Sequence, residues 1–221
     1  MENESMKKLL SVAIIGLMAM FVSTTVNAAT LSLVGGTANH ALPANFSAGP
    51  LWATGLNPND LVTTFDSSTD GEGLKLLGTG SVTIQFEYLG SEAGNTNQAF
   101  EISTGSNFLF NNKTSSVGDT VNVVLTASGG FLPFSFTTSG GGGQIAENGY
   151  IQDPLAIAFS ELVNNYSTIA LFGDGAGDHD FDDMAIRISV VPLPAALPLY
   201  GAGVALLGFL GWRRRKAEAA A

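Results

Sequence analysis

The sequence predicts an all-β domain, an antiparallel β-sandwich with a jelly-roll-like arrangement as one option, between two apolar terminal segments. Two observations predict the sheets. Apolar and polar residues alternate with a period of two in several segments, and Gly-rich turns separate these segments. The 221 residues contain no Cys, which excludes disulfides, thiol catalysis and Cys-ligated zinc.

The first segment, residues 1–28, has the layout of a secretory signal peptide. Lys7 and Lys8 form a positive n-region, uncharged apolar residues 9–22 follow, and Val26-Asn27-Ala28 offers a cleavage site of small residues. The apolar stretch is too short to span a bilayer comfortably. We therefore expect export, with an uncleaved N-terminal anchor as the alternative.

The body, residues 29–190, contains the predicted strands. Apolar side chains alternate along the clearest ones, which are rich in β-branched and aromatic residues and should be half-buried. These strands are Ser81–Tyr88, Thr120–Thr126, Phe134–Thr137, Leu155–Ser160 and Met184–Val190. Shorter candidates are Leu31–Val34, Leu61–Phe65, Leu74–Leu77, Phe100–Ser103 and Thr168–Phe172. Only Glu161–Tyr166 offers a candidate for one helical turn.

The body is strongly acidic. It contains 16 acidic residues and only three basic ones, Lys75, Lys113 and Arg187, which gives a net charge of −13. This charge excludes a protein that binds nucleic acid or anionic lipid through its bulk charge.

An Asp-rich segment, residues 174–183, separates the last two predicted strands. Like charges at this density repel each other unless they are hydrated or neutralised. A one-three-five spacing of carboxylates lets a tight loop converge oxygens on calcium, although the segment lacks the Gly and Glu of an EF-hand. The candidate calcium ligands are Asp174, Asp178, Asp180, Asp182 and Asp183.

The same segment is open to a second interpretation. A solvated hairpin loop would use its Asp side chains in turns with its own backbone, with Asp183 holding the start of the following strand. The segment also resembles a GD-x-D-[FY]-[DN]-D pattern found near the C-terminus of many secreted bacterial β-domains. The sequence leaves calcium binding and the hydrated loop as alternatives, with His179 exposed.

The C-terminal segment, residues 191–216, combines three features in a fixed order. Val191-Pro192-Leu193-Pro194 is followed by the apolar run 195–212 and then by the basic cluster 213–216, with a tail at 217–221. Eighteen helical residues span about 27 Å, close to the thickness of a bilayer core. The positive-inside rule keeps the basic cluster cytoplasmic and places the body on the other side.

This order of features resembles the PEP-CTERM sorting signal, with Leu193 where the usual motif has Glu. The resemblance implies export in a Gram-negative bacterium and residence in the inner membrane until an exosortase cleaves near the motif. Delivery to the cell surface or the exopolysaccharide matrix would follow. The candidate sorting residues are Val191, Pro192, Leu193, Pro194, Arg213, Arg214 and Arg215.

Three classes of function remain open. The first is a structural or adhesive surface protein without catalysis, which we expect. The second is a calcium-assisted carbohydrate-binding module, with Trp52, Tyr150 and Tyr166 as candidates to stack on sugars. The third is a secreted hydrolase that would use Glu87 and Glu101 as paired carboxylates. His40 and His179 lie in no nucleophile or zinc context.

Overall fold

The computed structural model describes residues 29–46, 53–140, 142–175, 180–191, 203–209 and 212. Within these ranges the chain forms fourteen β-strands. They are β1 (Thr30–Val34), β2 (Thr37–Ala41), β3 (Leu61–Phe65), β4 (Gly73–Leu77), β5 (Gly80–Gly90), β6 (Asn97–Glu101), β7 (Asn107–Asn111), β8 (Thr120–Ala127), β9 (Phe134–Thr138), β10 (Ile145–Glu147), β11 (Tyr150–Ile151), β12 (Ala156–Phe159), β13 (Ser167–Gly173) and β14 (Met184–Val191).

The strands form three antiparallel sheets, which confirms the all-β prediction. The seven-stranded sheet has the order β2-β3-β12-β13-β14-β5-β8, and the five-stranded sheet has the order β11-β10-β9-β6-β7. Strands β1 and β4 form a separate pair. Every segment that the sequence predicted as a strand overlaps one of these elements.

The main hydrophobic core contains side chains from all three sheets. Phe134 of β9 lies 6.4 Å from Phe86 of β5 and 6.2 Å from Phe159 of β12, measured between ring centroids. Phe136 stacks on Phe172 of β13 at 4.9 Å. Aromatic side chains of the five-stranded sheet therefore contact three strands of the seven-stranded sheet. The alternation predicted for β5 is confirmed, because its core-facing residues are Val82, Ile84, Phe86 and Tyr88.

The expectation of half-buried strands was wrong for β12, in which every residue is buried. Ile157 and Phe159 belong to the main core, whereas Ala156 and Ala158 belong to a second cluster. Phe181 is part of this second cluster, together with residues from the chain around 42–46 and 53–56. These two segments therefore cover the face of β12 that carries Ala156 and Ala158. The small residues on that face gave no sign in the sequence that it would be buried.

Four strands were missed in the sequence, and one was displaced. The missed strands, β2, β7, β10 and β11, are short, and each contains polar residues or lies beside a glycine-rich turn. Strand β6 ends at Glu101 rather than at Ser103, because the Glu101 carboxylate accepts a hydrogen bond from the Ser103 amide at the turn. The candidate helical turn at Glu161–Tyr166 is instead the hairpin turn between β12 and β13.

The terminal predictions fall largely outside the described residues. This holds for residues 1–28, for Pro192–Pro194, for most of 195–212 and for Arg213–Lys216. Residues 203–209 are helical, and Val204, Leu206 and Leu207 are exposed there. Among the residues that the structure describes, no helix has the length and apolarity needed to cross a membrane.

Candidate functional site

The Asp-rich loop joins two neighbouring strands of the seven-stranded sheet. Strands β13 and β14 pair antiparallel as far as Phe172 and Met184, so the loop opens directly from the end of this ladder. The Asp174 amide donates a hydrogen bond to Oδ2 of Asp183 at 2.7 Å and closes the base of the loop. The prediction that Asp183 holds the start of the last strand is therefore confirmed.

Asp174 is bonded to protein donors. Its carboxylate is buried and accepts hydrogen bonds from Thr138 Oγ1 at 3.1 Å and from Asn95 Nδ2 at 3.3 Å. Thr138 ends β9, so this carboxylate connects the loop to the five-stranded sheet. Side chains of the fold therefore supply hydrogen-bond donors to the Asp174 carboxylate.

Residues 91–97, which follow β5, line the other side of the loop. The Glu92 amide donates to the Asp182 carbonyl at 2.9 Å, and Asn97 Nδ2 donates to the Asp183 carbonyl at 3.2 Å. The Ser91 hydroxyl also donates to the Asp183 carbonyl. These contacts bring Glu92 beside the Asp-rich loop, although about 90 residues separate them in the chain.

Phe181 anchors the middle of the loop. Its side chain is buried in the second cluster and meets the His40 ring edge-on at 5.8 Å between centroids. The residue has a φ of 59°, which is uncommon for a bulky side chain and is kept only where packing over-determines it. Burial of the ring fixes the backbone between Asp180 and Asp182.

Asp182 carries a strongly perturbed carboxyl group. The residue is 3% exposed, and its Oδ1 atom has no hydrogen-bond partner among the described residues. Burial raises the pKa of Asp182, and its interactions with Asp180 together with the charges of Glu92 and Asp183 raise it further, to about 7. Asn97 Oδ1 is a second buried oxygen without a partner in the described region.

The structure brings together only part of the predicted calcium set. Asp174 and Asp183 are engaged with protein donors, Asp180 and Glu92 act on the Asp182 carboxyl group, and Asp178 lies outside the described residues. In the ranges that the structure describes, no three Asp, Glu or His side chains are grouped so that they could hold a metal ion. The solvation expected in the hydrated-loop alternative is wrong for Asp174, Asp182 and Asp183, because all three are buried. Its other part holds for Asp183, whose carboxylate accepts a hydrogen bond from the loop's own backbone.

Sequence reasoning missed Glu92, Asn95 and Asn97. They lie in a stretch without a recognisable motif and reach the loop only because β5 pairs with β14. An acidic loop can be found in a sequence, but the residues that pack against it depend on sheet order.

The two glutamates considered for a hydrolase lie on different sheets. Glu87 of β5 forms an ion pair with Arg187 of β14. Glu101 of β6 is buried rather than solvated; burial raises its pKa, but hydrogen bonds from Ser103 and Asn107 outweigh this effect and hold it below its usual range. Both carboxylates therefore have structural partners.

The candidate sugar-stacking aromatics differ in exposure. Tyr150 is exposed, Tyr166 packs against the main core, and Trp52 lies outside the described residues. Phe108 of β7, which was not among the predicted aromatics, is 53% exposed.

Val191, the first residue of the sorting motif, ends β14 opposite Thr83.

No protein-family model matches the chain, and no curated protein shows significant similarity to it. We therefore infer function from the residues themselves.

Proposed function

We propose that the protein is exported through the inner membrane of a Gram-negative bacterium and processed there by an exosortase. The mature protein then serves a structural or adhesive role at the cell surface or in the exopolysaccharide matrix. In this proposal the body is an antiparallel β-sandwich, with a jelly-roll-like arrangement as one option, and its role is not catalytic.

The observation that carries this proposal is the position of the folded region. Among the described residues, the first strand begins at Thr30, directly after the expected signal peptide, and the last strand ends at Val191, directly before Pro192. Strand β14 is held on both sides, by β13 and β5. Cleavage at either boundary would therefore remove a targeting segment and leave the sheets complete.

Two further observations support the proposal. The exposed apolar side chains at 203–209 suit an environment of lipid, as expected for a transient anchor. The structural partners of Glu87 and Glu101 argue against a hydrolase, because a glycosidase needs two carboxyl groups that face each other across a cleft.

The sorting proposal predicts a change of location when Pro192 and Pro194 are both replaced by alanine. The double variant should stay in the inner membrane, because the extended segment that the exosortase recognises would lose its two fixed φ angles. Cell fractionation and immunoblotting in an exosortase-carrying strain measure this, with Pro58→Ala, at an exposed turn of the body, as the control outside the sorting signal. Delivery of the double variant to the matrix at the level of the unmodified chain would contradict the proposal.

A calcium-assisted carbohydrate-binding module is the second candidate function. The buried Asp182 carboxyl favours it, because a cation would neutralise a charge that burial makes costly. Exposed Tyr150 and Phe108 offer surfaces on which sugar rings stack. A glycan array should then give binding in calcium that is lost in EDTA and in Tyr150→Ala. Equal signals with and without calcium would exclude this function.

A further inference from the structure

The strands that end the two larger sheets differ in how they are protected. In the described part of the chain these are β2 and β8 in the seven-stranded sheet, and β7 and β11 in the five-stranded sheet. Strand β2 is interrupted by a register shift and by Asn39 with a φ of 60°. Strand β11 has two residues, and the β6–β7 pair is bulged near Phe100. Short, bulged edges of this kind discourage pairing with another chain.

Strand β8 has none of these protections. It has eight residues and pairs with β5 in an unbroken register from Thr120 to Ala127. Its sequence, TVNVVLTA, contains no charge, no Pro and no Gly. Val124 in its centre is 68% exposed. On the side away from β5, no other strand of the described residues pairs with it. A long, regular and uncharged edge presents backbone groups that are ready to pair with another strand.

We infer that β8 pairs antiparallel with β8 of a second copy of this chain, so that the two seven-stranded sheets join into one. The dyad axis passes through Val124, which lies opposite its own copy. In this register Val123 faces the partner's Leu125, and Asn122 faces the partner's Thr126. Apolar residues then meet apolar ones, and polar residues meet polar ones, on both faces of the sheet.

The neighbouring registers fit less well. Moving the dyad to Val123 places Asn122 opposite Val124, and moving it to Leu125 places Val124 opposite Thr126. Because side chains alternate strictly, each of these shifts keeps every side chain on the same face of the sheet. On the exposed face, however, it pairs an apolar residue with a polar one. The register through Val124 is therefore the one that the sequence favours.

The contact itself places no like charges opposite each other. No residue of β8 is charged, and the nearest carboxylate along the chain, Asp119, precedes the strand and lies outside the seven residues paired in this register. The self-matching sequence of β8 is what selects a second copy over an unrelated peptide. The pairing does not depend on export or processing.

Single cysteines test the register, because the chain has no Cys of its own. Residues directly opposite each other have Cβ atoms about 4.5–5.5 Å apart, close to the span of a disulfide. Oxidation of the full-length Val124→Cys chain in detergent should give a disulfide-linked dimer. Asn122→Cys alone should give little, but a mixture with Thr126→Cys should link the two chains. Val163→Cys, at a residue 62% exposed in a turn, is the matched control.

A charge at the same position tests the contact without any cross-link. Light scattering should show the unmodified full-length chain as a dimer in detergent, and Val124→Lys as a monomer, because two ammonium groups would meet on the dyad. Val163→Lys should remain dimeric. Persistence of the dimer in Val124→Lys, or equal cross-linking of Val124→Cys and Val163→Cys, would overturn the inference. So would a monomeric unmodified chain, or cross-linking of Val124→Cys to a different protein in cells.

Discussion

Replacing Phe134 with alanine is expected to destabilise the protein strongly, because this side chain lies where the two larger sheets meet. Its ring is fully buried and contacts Phe86 and Phe159 of the seven-stranded sheet as well as Phe136 beside it. Truncation removes these contacts and leaves a cavity between the sheets. Such changes cost about 3–5 kcal/mol in free energy of unfolding. In a domain of this size that lowers Tm by about 10 °C.

Phe108→Ala is the matched control, because this phenylalanine is 53% exposed on an edge strand. Its truncation should cost about 1 kcal/mol or less. Thermal unfolding of the full-length variants in detergent, followed by circular dichroism, measures both values. Equal losses of Tm would show that Phe134 does not join the sheets as described.

Asp182 should make the protein less stable as the pH rises in metal-free buffer. Its pKa is about 7 in the folded state, against 3.8 for an unperturbed Asp, so the folded chain binds more protons between these values. The contribution to stability is fully present below about pH 4 and is lost as the pH rises through 7. Between pH 5 and pH 8 the loss amounts to about 2–3 kcal/mol at most, at 1.36 kcal/mol per pKa unit.

Asp182→Asn isolates this contribution from the other titrating groups, because asparagine resembles the protonated carboxyl group at every pH. The Tm of Asp182→Asn minus that of the unmodified chain, measured in EDTA, should increase from pH 5 to pH 8. Asp119→Asn, at an exposed carboxylate, is the control for the chemical change itself. A difference that is constant or falls with pH for Asp182→Asn would contradict the described burial of the group.

The unmodified chain and Asp182→Asn also test whether the Asp-rich loop binds calcium. If the loop binds the ion, calcium raises the Tm of the unmodified chain at pH 8, where Asp182 is ionised, by the usual linkage of binding to folding. The rise should be smaller at pH 5 and smaller in Asp182→Asn. An unchanged Tm at millimolar calcium would remove the calcium site and the module that depends on it.

The sequence predicted the strands whose burial is one-sided. Strands β5 and β14 alternate because one face meets the main core, and period two is visible wherever that holds. The period-two pattern did not reveal β2 and β10, because their few residues are mostly polar or small. Pairing with neighbouring strands holds these two in place. The pattern also underestimated the burial of β12, because the residues that cover Ala158 come from distant segments.

The candidate site was predicted in location and only partly in chemistry. Five carboxylates in one loop are visible in the sequence alone, and the role of Asp183 at the strand start followed from its position. The burial of Asp182 was not predictable, since it depends on Phe181 and on Glu92 lying against the loop. Long-range pairing of β5 with β14 creates that neighbourhood.

The most direct test of export and exosortase processing is the intact mass of the mature protein released from the cell surface. We expect a chain that begins at Ala29 and ends within or just after the motif Val191–Pro194, and only in cells that carry an exosortase. The folded strands, Thr30 to Val191, would then be complete in the mature product. A surface protein that retains the segment through Ala221, or the same trimmed mass in cells without exosortase, would contradict this proposal.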